Sequence, residues 1–345
     1  PCGQVGLTSG SLSCAAQLVA CAGHSAKPFV GAEMRQLAAA APSAPEWPCR
    51  PAAAFGSTQT LERNGIEERA NTMSSPDTDK VFSGSIAKLY ETYLVPLIFE
   101  PYAADLVNRL ASRSLTRVLE IAAGTGVVTR ALASVLPEGV SIVATDLNQP
   151  MLDHASALGT KRPVEWRQAD AMRLPFQDET FDAVVCQFGV MFFPERPKAF
   201  SEARRVLRSG GVFIFNTWDR IEENEFADTV TTALESLFPK DPPRFLARTP
   251  HGYWDPLTIK RDLADGGLTG PPQITTVAAR SRAESARVPA IAYCQGTPLR
   301  NEIEARNALP RAFTGAVVSR MDHAPFAQRV RDALDARLAA LLEIR

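Results

Sequence analysis

The stretch Val118-Leu119-Glu120-Ile121-Ala122-Ala123-Gly124-Thr125-Gly126 constrains this chain more than any other. A short apolar run gives way to glycines, and helical spacing follows from Val127 to Leu136. That order reads as a buried strand, a tight loop and a helix. In doubly wound α/β folds, ligands bind at the carboxyl ends of such strands, near the point where strand order reverses. Gly124 and Gly126 allow the backbone to pass close to a ligand, because they carry no Cβ.

The rest of the chain repeats the alternation. Ser141–Thr145, Val164–Gln168, Phe181–Gln187 and Val212–Thr217 read as further strands, and Ile274–Ala279 as a sixth. Pro150–Leu158 and Arg196–Leu207 read as helices between them. The expected fold is therefore α/β: a doubly wound, Rossmann-like, mostly parallel sheet. An N-terminal helical cap is expected from Ile86 to Ala111, interrupted at Pro96. Residues 115–219 form the expected core, 220–270 an insertion after the fifth strand, and 271–345 a C-terminal strand with helices. The tail from Phe326 to Leu342 has helical spacing. A seventh strand is not visible.

Residues 1–72 are rich in Ala, Pro, Ser and Gly and lack apolar periodicity. They are expected to lie outside the working domain, as a disordered or non-native leader, with the domain itself spanning 73–345 from Met73. Four of the six cysteines fall in that leader, and Cys-x-x-Cys pairs are lacking. With the four histidines scattered, a metal site has no support. The formal net charge is -1 and a basic stripe is lacking, which argues against a nucleic-acid partner. No apolar run reaches the roughly 18–20 residues of a membrane span. The expected compartment is the cytoplasm.

Asp146 ends the second strand, 22 positions after Gly124. An acid at that place can accept hydrogen bonds from both hydroxyls of a ribose. Nicotinamide-dependent oxidoreductases and methyltransferases share the feature. Glu120 helps to separate them. A dinucleotide places its pyrophosphate on the helix N-terminus, and a carboxylate at the loop entrance would repel it. A ligand with cationic groups and no phosphate tolerates that acid. The dinucleotide pattern also wants Gly or Ala where Thr129 stands.

The segment from Arg117 to Asp219 resembles the class I S-adenosylmethionine-dependent methyltransferases, in the branch that includes the ubiquinone/menaquinone-biosynthesis C-methyltransferases. The first motif is Glu120 to Gly126, with Ala122 in place of a glycine. The second is Asp146-Leu147-Asn148-Gln149-Pro150-Met151-Leu152, and the third Gln168 to Phe176. Gln187-Phe188-Gly189-Val190-Met191-Phe192-Phe193 and Arg205 to Gly211 complete the series. The resemblance implies S-adenosylmethionine as cofactor, held by Glu120, Ala122, Ala123, Gly124, Thr125 and Gly126. It implies ribose contact by Asp146 and adenine contact by Leu147, Met151, Asp170 and Ala171. Gln187 and Phe188 should line the methyl-transfer site. Tyr90, on the N-terminal helix, is a candidate for the cofactor's carboxylate. An Asn/Asp-Pro-Pro-Tyr run is missing after the fourth strand, which argues against transfer to the amines of DNA bases.

The expected reaction is direct displacement, in which a small-molecule nucleophile takes the sulfonium methyl. Much of the rate can come from alignment, so the lack of an evident catalytic dyad is compatible with activity. Two other readings stay open: an NAD(P)-dependent oxidoreductase on the same sheet, and a non-catalytic S-adenosylmethionine-binding protein. His251 lies near the expected cover loop, where a histidine could act as a base, but the favoured reading is a surface-loop histidine.

Overall fold

A computed structural model of the chain describes residues 10–21, 79–80, 82, 85–306 and 310–321. Strands that are apolar at nearly every position cannot leave a face in water, so they pair inside a sheet covered on both sides. The parallel part is built of β2 (Arg117–Ile121), β3 (Ser141–Asp146), β5 (Phe181–Gln187) and β6 (Leu207–Trp218), with the polar, largely exposed β4 (Glu165–Gln168) at its edge. With β1 (Gly10–Cys21) and β7 (Gln273–Arg282), the sheet has the order β4-β3-β2-β5-β6-β1-β7. Both β6 and β7 pair antiparallel with β1.

The period of two sorts side chains between two cores. Val212 and Ile214 join Val118, Ile142 and Val185 on one face. Phe213 and Phe215 join Leu119, Val143 and Val184 on the other. The first core is closed by α2 (Glu100–Ala111) and α3 (Val127–Val135), through Leu106, Leu110, Val128 and Leu132. The second is closed by α5 (Arg196–Val206), through Phe200 and Ala203. The remaining crossover helix of the parallel part is α4 (Gln149–Leu158).

The N-terminal cap is continuous where an interruption at Pro96 was expected. The short α1 (Ile86–Leu89) runs into a π-helical segment, Tyr90–Phe99, and then into α2. Proline lacks an N–H and its ring crowds the carbonyl four residues back. The wider π turn meets both constraints, and the Glu100 N–H donates to the Val95 carbonyl, five residues back. The stretch after β6 holds α6 (Glu225–Leu237), α7 (Phe245–Arg248) and α8 (Pro256–Asp265). After β7 come α9 (Arg287–Gly296), α10 (Leu299–Ala305) and α11 (Pro310–Met321). The expected helix at 326–342 lies outside the described residues.

Two expectations about the chain ends are corrected together. Gly10–Cys21 is not part of a detached leader, and the sheet does not lack its seventh strand. Residues 10–21 are that strand. They lie between β6 and β7, with Leu18 opposite Phe215 on one side and Ile274 on the other. The physical reason is the open edge of β6. Its unpaired N–H and C=O groups would otherwise end the sheet beside an apolar core, and an antiparallel strand satisfies them. The rest of 1–72, apart from these twelve residues, lies outside the described residues.

Because β1 is hydrogen-bonded on both sides, proline cannot be accommodated at its centre. Leu18→Pro is expected to cost roughly 3 kcal/mol, seen as a thermal midpoint lowered by several degrees. An unchanged midpoint would mean that the strand contributes nothing to the fold.

Candidate functional site

The strand order reverses beside β2, with β3 on one side and β5 on the other. The chain leaves β2 and turns through Ala122–Gly126 into α3. The turn uses left-handed backbone at Ala122 (φ 55°), Gly124 (φ 56°) and Gly126 (φ 83°). Gly126 also meets close neighbours: a Cβ there would lie 3.0 Å from Trp166 and 3.1 Å from Ala155. The Ala123 N–H donates to the Thr145 carbonyl at 2.9 Å, which ties the loop to β3. The Gly124 N–H donates to Asp146 Oδ2 at 2.8 Å. The acid at the end of β3 and the glycine loop after β2 are thus one hydrogen-bonded unit.

Ala122 is a sharper departure from the glycine pattern than its size suggests. Left-handed backbone costs a non-glycine residue of order 1–3 kcal/mol. Phe188 carries the same conformation (φ 50°). Its N–H donates to the Oδ1 of the buried Asn216 at 2.9 Å, which holds the strained turn after β5.

A cleft opens over these turns. Tyr90, Ala122, Gly124, Asp146, Leu147, Met151, Asp170, Ala171, Gln187 and Phe188 line it, all expected from the sequence. Four other expected residues do not. Glu120, Ala123 and Thr125 are buried beneath the loop, and Gly126 turns toward α4 and β4. They shape the cleft from behind because the loop presents only alternate positions to it.

The lining has a mixed chemistry. Burial pushes the Asp146 carboxyl up from its ordinary range, while N–H groups of Asn148 and Gly124 pull it back. Asn148 N donates to Asp146 Oδ1 at 2.8 Å. Leu147 is 47% exposed, unusual for a large apolar side chain. Asp170 Oδ1 accepts from the Met172 N–H at 2.9 Å. Gln187 Oε1 is buried without a hydrogen-bond partner. Gly189 forms the floor, since a Cβ there would fall 2.5 Å from Ala122 Cβ and 2.7 Å from Cys186 Sγ. Arg130 anchors the cap to the loop, donating to the Thr125 carbonyl and pairing with Glu91 at 2.6 Å.

Glu120 has a different role from the one its position in the motif suggested. It accepts a hydrogen bond from Thr129 Oγ1, and both residues are fully enclosed. Burial pushes its carboxyl up to about 8, against the opposing pull of Thr129 and Arg130. Thr129, which departs from the dinucleotide pattern, is the residue that satisfies this acid.

A second cavity adjoins the cleft. Phe82, Tyr90, Phe188 and Phe192 line both spaces. Trp218 stacks on Phe188 with ring centroids 3.8 Å apart and planes within 4°. Beyond Trp218 stands His251, whose ring centroid is 6.0 Å from the Trp218 ring. His251 is buried, at 5% exposure, which corrects the surface-loop reading. Its loop folds inward because Gly252 packs where any Cβ would overlap the Arg248 carbonyl. The buried acids Asp79 and Glu302 hold that region through a shared ion pair with the exposed Arg248, whose Nη2 lies 2.7 Å from each. Sequence reasoning missed Trp218 and Asn216 and favoured the wrong setting for His251, since none sits in a recognisable spacing. Among the described residues, no group of three or more His, Cys, Asp or Glu is placed to hold a metal, and no helix is long and apolar enough to cross a membrane.

A methyltransferase-domain family matches residues 119–215. The ubiquinone/menaquinone biosynthesis C-methyltransferase UbiE of Ectopseudomonas mendocina is 29% identical, over 54% of this chain and 74% of that protein. The UbiE protein of Haemophilus ducreyi is 33% identical, over 37% of this chain and 58% of that one. A solved structure of a putative methyltransferase from Bacillus halodurans is 25% identical, with a TM-score of 0.36, over 48% of this chain and 68% of that one. The fold, the glycine loop with its acid, and the matched family define a class I S-adenosylmethionine-dependent methyltransferase. Residues 119–215 are a methyltransferase domain of that class, for which S-adenosylmethionine is the cofactor, and the chain is similar to the ubiquinone/menaquinone C-methyltransferases. It spans 74% of the first of these relatives and 58% of the second.

Two outcomes follow from the loop. A carboxyl whose folded pKa is raised contributes stability at low pH and loses it as pH climbs toward the folded value. Glu120→Gln is therefore expected to gain stability on the native protein between pH 5 and pH 8, by about 3 kcal/mol, measured by urea unfolding. A pH-independent difference would place the carboxyl in a wetter setting. Ala122→Gly relieves the left-handed backbone and is expected to stabilise by about 1 kcal/mol. A loss of stability instead would mean that the Ala122 methyl is worth more than the strain.

Proposed function

We propose that the chain methylates a small, planar, largely apolar acceptor bound in the aromatic cavity, by direct displacement. The observation that carries this reading is the shared wall: Phe82, Tyr90, Phe188 and Phe192 border both the cleft and the cavity. Two ligands lying on either side of such a wall can be held at contact distance.

The cleft suits the cofactor on chemical grounds. Leu147 and Met151 offer apolar faces for an adenine, and Asp170 an acceptor for its amino group. Asp146 keeps lone pairs free for ribose hydroxyls. The unpartnered Gln187 Oε1 is an acceptor for an ammonium group. Asp146 and Asp170 on the cleft wall suit a ligand with cationic groups. When bound, S-adenosylmethionine supplies an electrophilic methyl on a sulfonium.

The protein's own contribution is then alignment and exclusion of water. The cap residues Tyr90 and Phe99, whose rings stack at 5.1 Å, cover the junction from one side. Phe99 packs directly on the stacked pair Phe188 and Trp218, with ring centroids 5.5 and 5.9 Å apart, so these rings form one continuous aromatic wall. Flat walls of this kind select planar rings. The relatives named for ubiquinone and menaquinone biosynthesis support an aromatic ring of quinol type as the acceptor, with a ring carbon as the methylated atom. The nicotinamide reading is weaker here, since the buried Glu120 and Thr129 fill the space under the loop.

Calorimetry with S-adenosylhomocysteine, followed by transfer of labelled methyl to phenols, hydroquinones and naphthols, tests the proposal. Asp146→Ala is expected to weaken S-adenosylhomocysteine binding at least ~10-fold, the loss of more than one hydrogen bond to a charged group. Binding of NAD(H) in place of S-adenosylhomocysteine would overturn the reading. So would cofactor binding with methyl transfer only to non-aromatic acceptors.

A further inference from the structure

The aromatic cavity contains one group able to take a proton. Among its lining residues the titratable side chains are Tyr90, Tyr293 and His251. Burial pushes both tyrosine hydroxyls up, so they stay protonated and can serve only as hydroxyls. His251 differs. Its Nδ1 lies 2.9 Å from the backbone carbonyl of Asp219. A carbonyl oxygen can only accept, so Nδ1 carries the ring proton. Nε2 is left as an unprotonated nitrogen with no hydrogen-bond partner among the described residues. His251 is one of the residues that line the cavity. Burial holds the imidazole pKa down to about 4, against the Asp219 carbonyl and the more distant Glu222, which pull it up. The ring is therefore neutral at ordinary pH.

We propose that His251 Nε2 is the general base of this site: it accepts the proton of an acidic hydroxyl on the aromatic acceptor as methyl transfer proceeds. The inference rests on the acceptor reading given above. The balance is closed within the site. The acceptor's nucleophilic atom forms a bond to the methyl carbon, and the carbon–sulfur bond breaks with its electron pair going to sulfur. The hydroxyl proton passes to Nε2, giving an imidazolium that later releases it to water; with a ring carbon as nucleophile, the dienone so formed regains its aromatic ring when the proton on the methylated carbon moves to the oxygen. Net charge in the buried site does not change. One positive charge starts on the sulfonium and ends on the imidazolium. A weak base suffices, because the proton grows more acidic as the new bond withdraws electrons. The same charge on the cofactor side keeps the imidazole neutral until transfer occurs.

The restraint on Nδ1 also sets the ring's direction. Asp219 follows directly on β6, and Asn224 donates to the same Asp219 carbonyl at 3.2 Å. The base is thus aimed by the strand that carries Trp218, the residue stacked against the cofactor-side Phe188. Alignment of base, acceptor and cleft comes from one strand end.

The experiment uses the full chain with ¹⁵N-labelled histidine and saturating S-adenosylhomocysteine. His251 is assigned by the resonances lost in His251→Gln. Two probes are added: 1-naphthol, and 1-methoxynaphthalene, which lacks the hydroxyl. Long-range ¹H–¹⁵N spectra are expected to show Nδ1 protonated and Nε2 bare across about pH 5.5–8. 1-Naphthol should move the Nε2 resonance, whereas 1-methoxynaphthalene should not, and the naphthol should bind roughly tenfold tighter. In His251→Phe, which keeps an aromatic ring, that preference should vanish. In His251→Gln, kcat for a hydroxylated acceptor should fall about 100-fold with KM little changed. S-adenosylhomocysteine affinity should stay within about twofold of wild type, a difference below half a kcal/mol. A protonated Nε2, equal binding of the two naphthalenes, or an unaltered kcat would each overturn the assignment. Failure of S-adenosylhomocysteine to bind wild type would instead strike the methyltransferase reading itself, so the two failures are separable.

Discussion

The hydrogen bond from the Gly124 N–H to the Asp146 carboxylate joins two strands at the place where strand order reverses. Much else in the molecule is organised around it. It requires the loop after β2 to bend through left-handed backbone, so that the Gly124 N–H faces β3 and not the helix. It also fixes Asp146 with one oxygen directed at the loop and the other at Asn148. A carboxylate buried to this degree persists only with such donors around it. Everything that lines the cleft is placed relative to this pair.

Support for the loop comes from below and above. Below, Glu120 and Thr129 form a closed pair that stands in for the close glycine packing of a dinucleotide site. Above, Arg130 links the Thr125 carbonyl to Glu91 of the π-helical cap. The cap is thereby fastened to the loop it covers. The π turn that admits Pro96 is part of the same arrangement, since it carries Tyr90 and Phe99 onto the cleft and cavity walls. Strain in the loop at Ala122 and after β5 at Phe188 is held by these contacts and by Asn216. Strained backbone that borders a ligand site is a common way to fix geometry that ordinary turns cannot supply.

The open edge of β6 poses a separate problem, which β1 solves. An antiparallel strand inserted between β6 and β7 completes the backbone hydrogen bonds beside the aromatic core of Phe213 and Phe215. Nothing in Gly10–Cys21 announces this role. Its apolar run is short and surrounded by Ala, Ser and Gly, so it reads as a leader by composition. Its partner residues lie about two hundred positions away.

Local pattern determined the parallel sheet. Runs such as Ala183–Cys186 and Val212–Phe215 are apolar at every position, and only a strand covered on both faces can bury them all. The same local grammar singled out Gly124 and Asp146, while Leu147, Met151, Asp170, Gln187 and Phe188 came from the family motifs; the structure brings all seven to one cleft, where strand ends converge at the reversal point. Tertiary structure alone decided the rest. Glu120 turned out to be enclosed with Thr129, since the face toward which a strand-end side chain points depends on the packing beneath it. His251 became a buried neutral imidazole only because the chain between β6 and β7 folds back over Trp218. Its environment is assembled from Asp219, Tyr293 and the cap, which no sequence window contains. Proximity along the chain fixes which backbone turns form. Burial and the resulting desolvation, which set what Asp146, Glu120 and His251 can do chemically, arise only when distant segments pack.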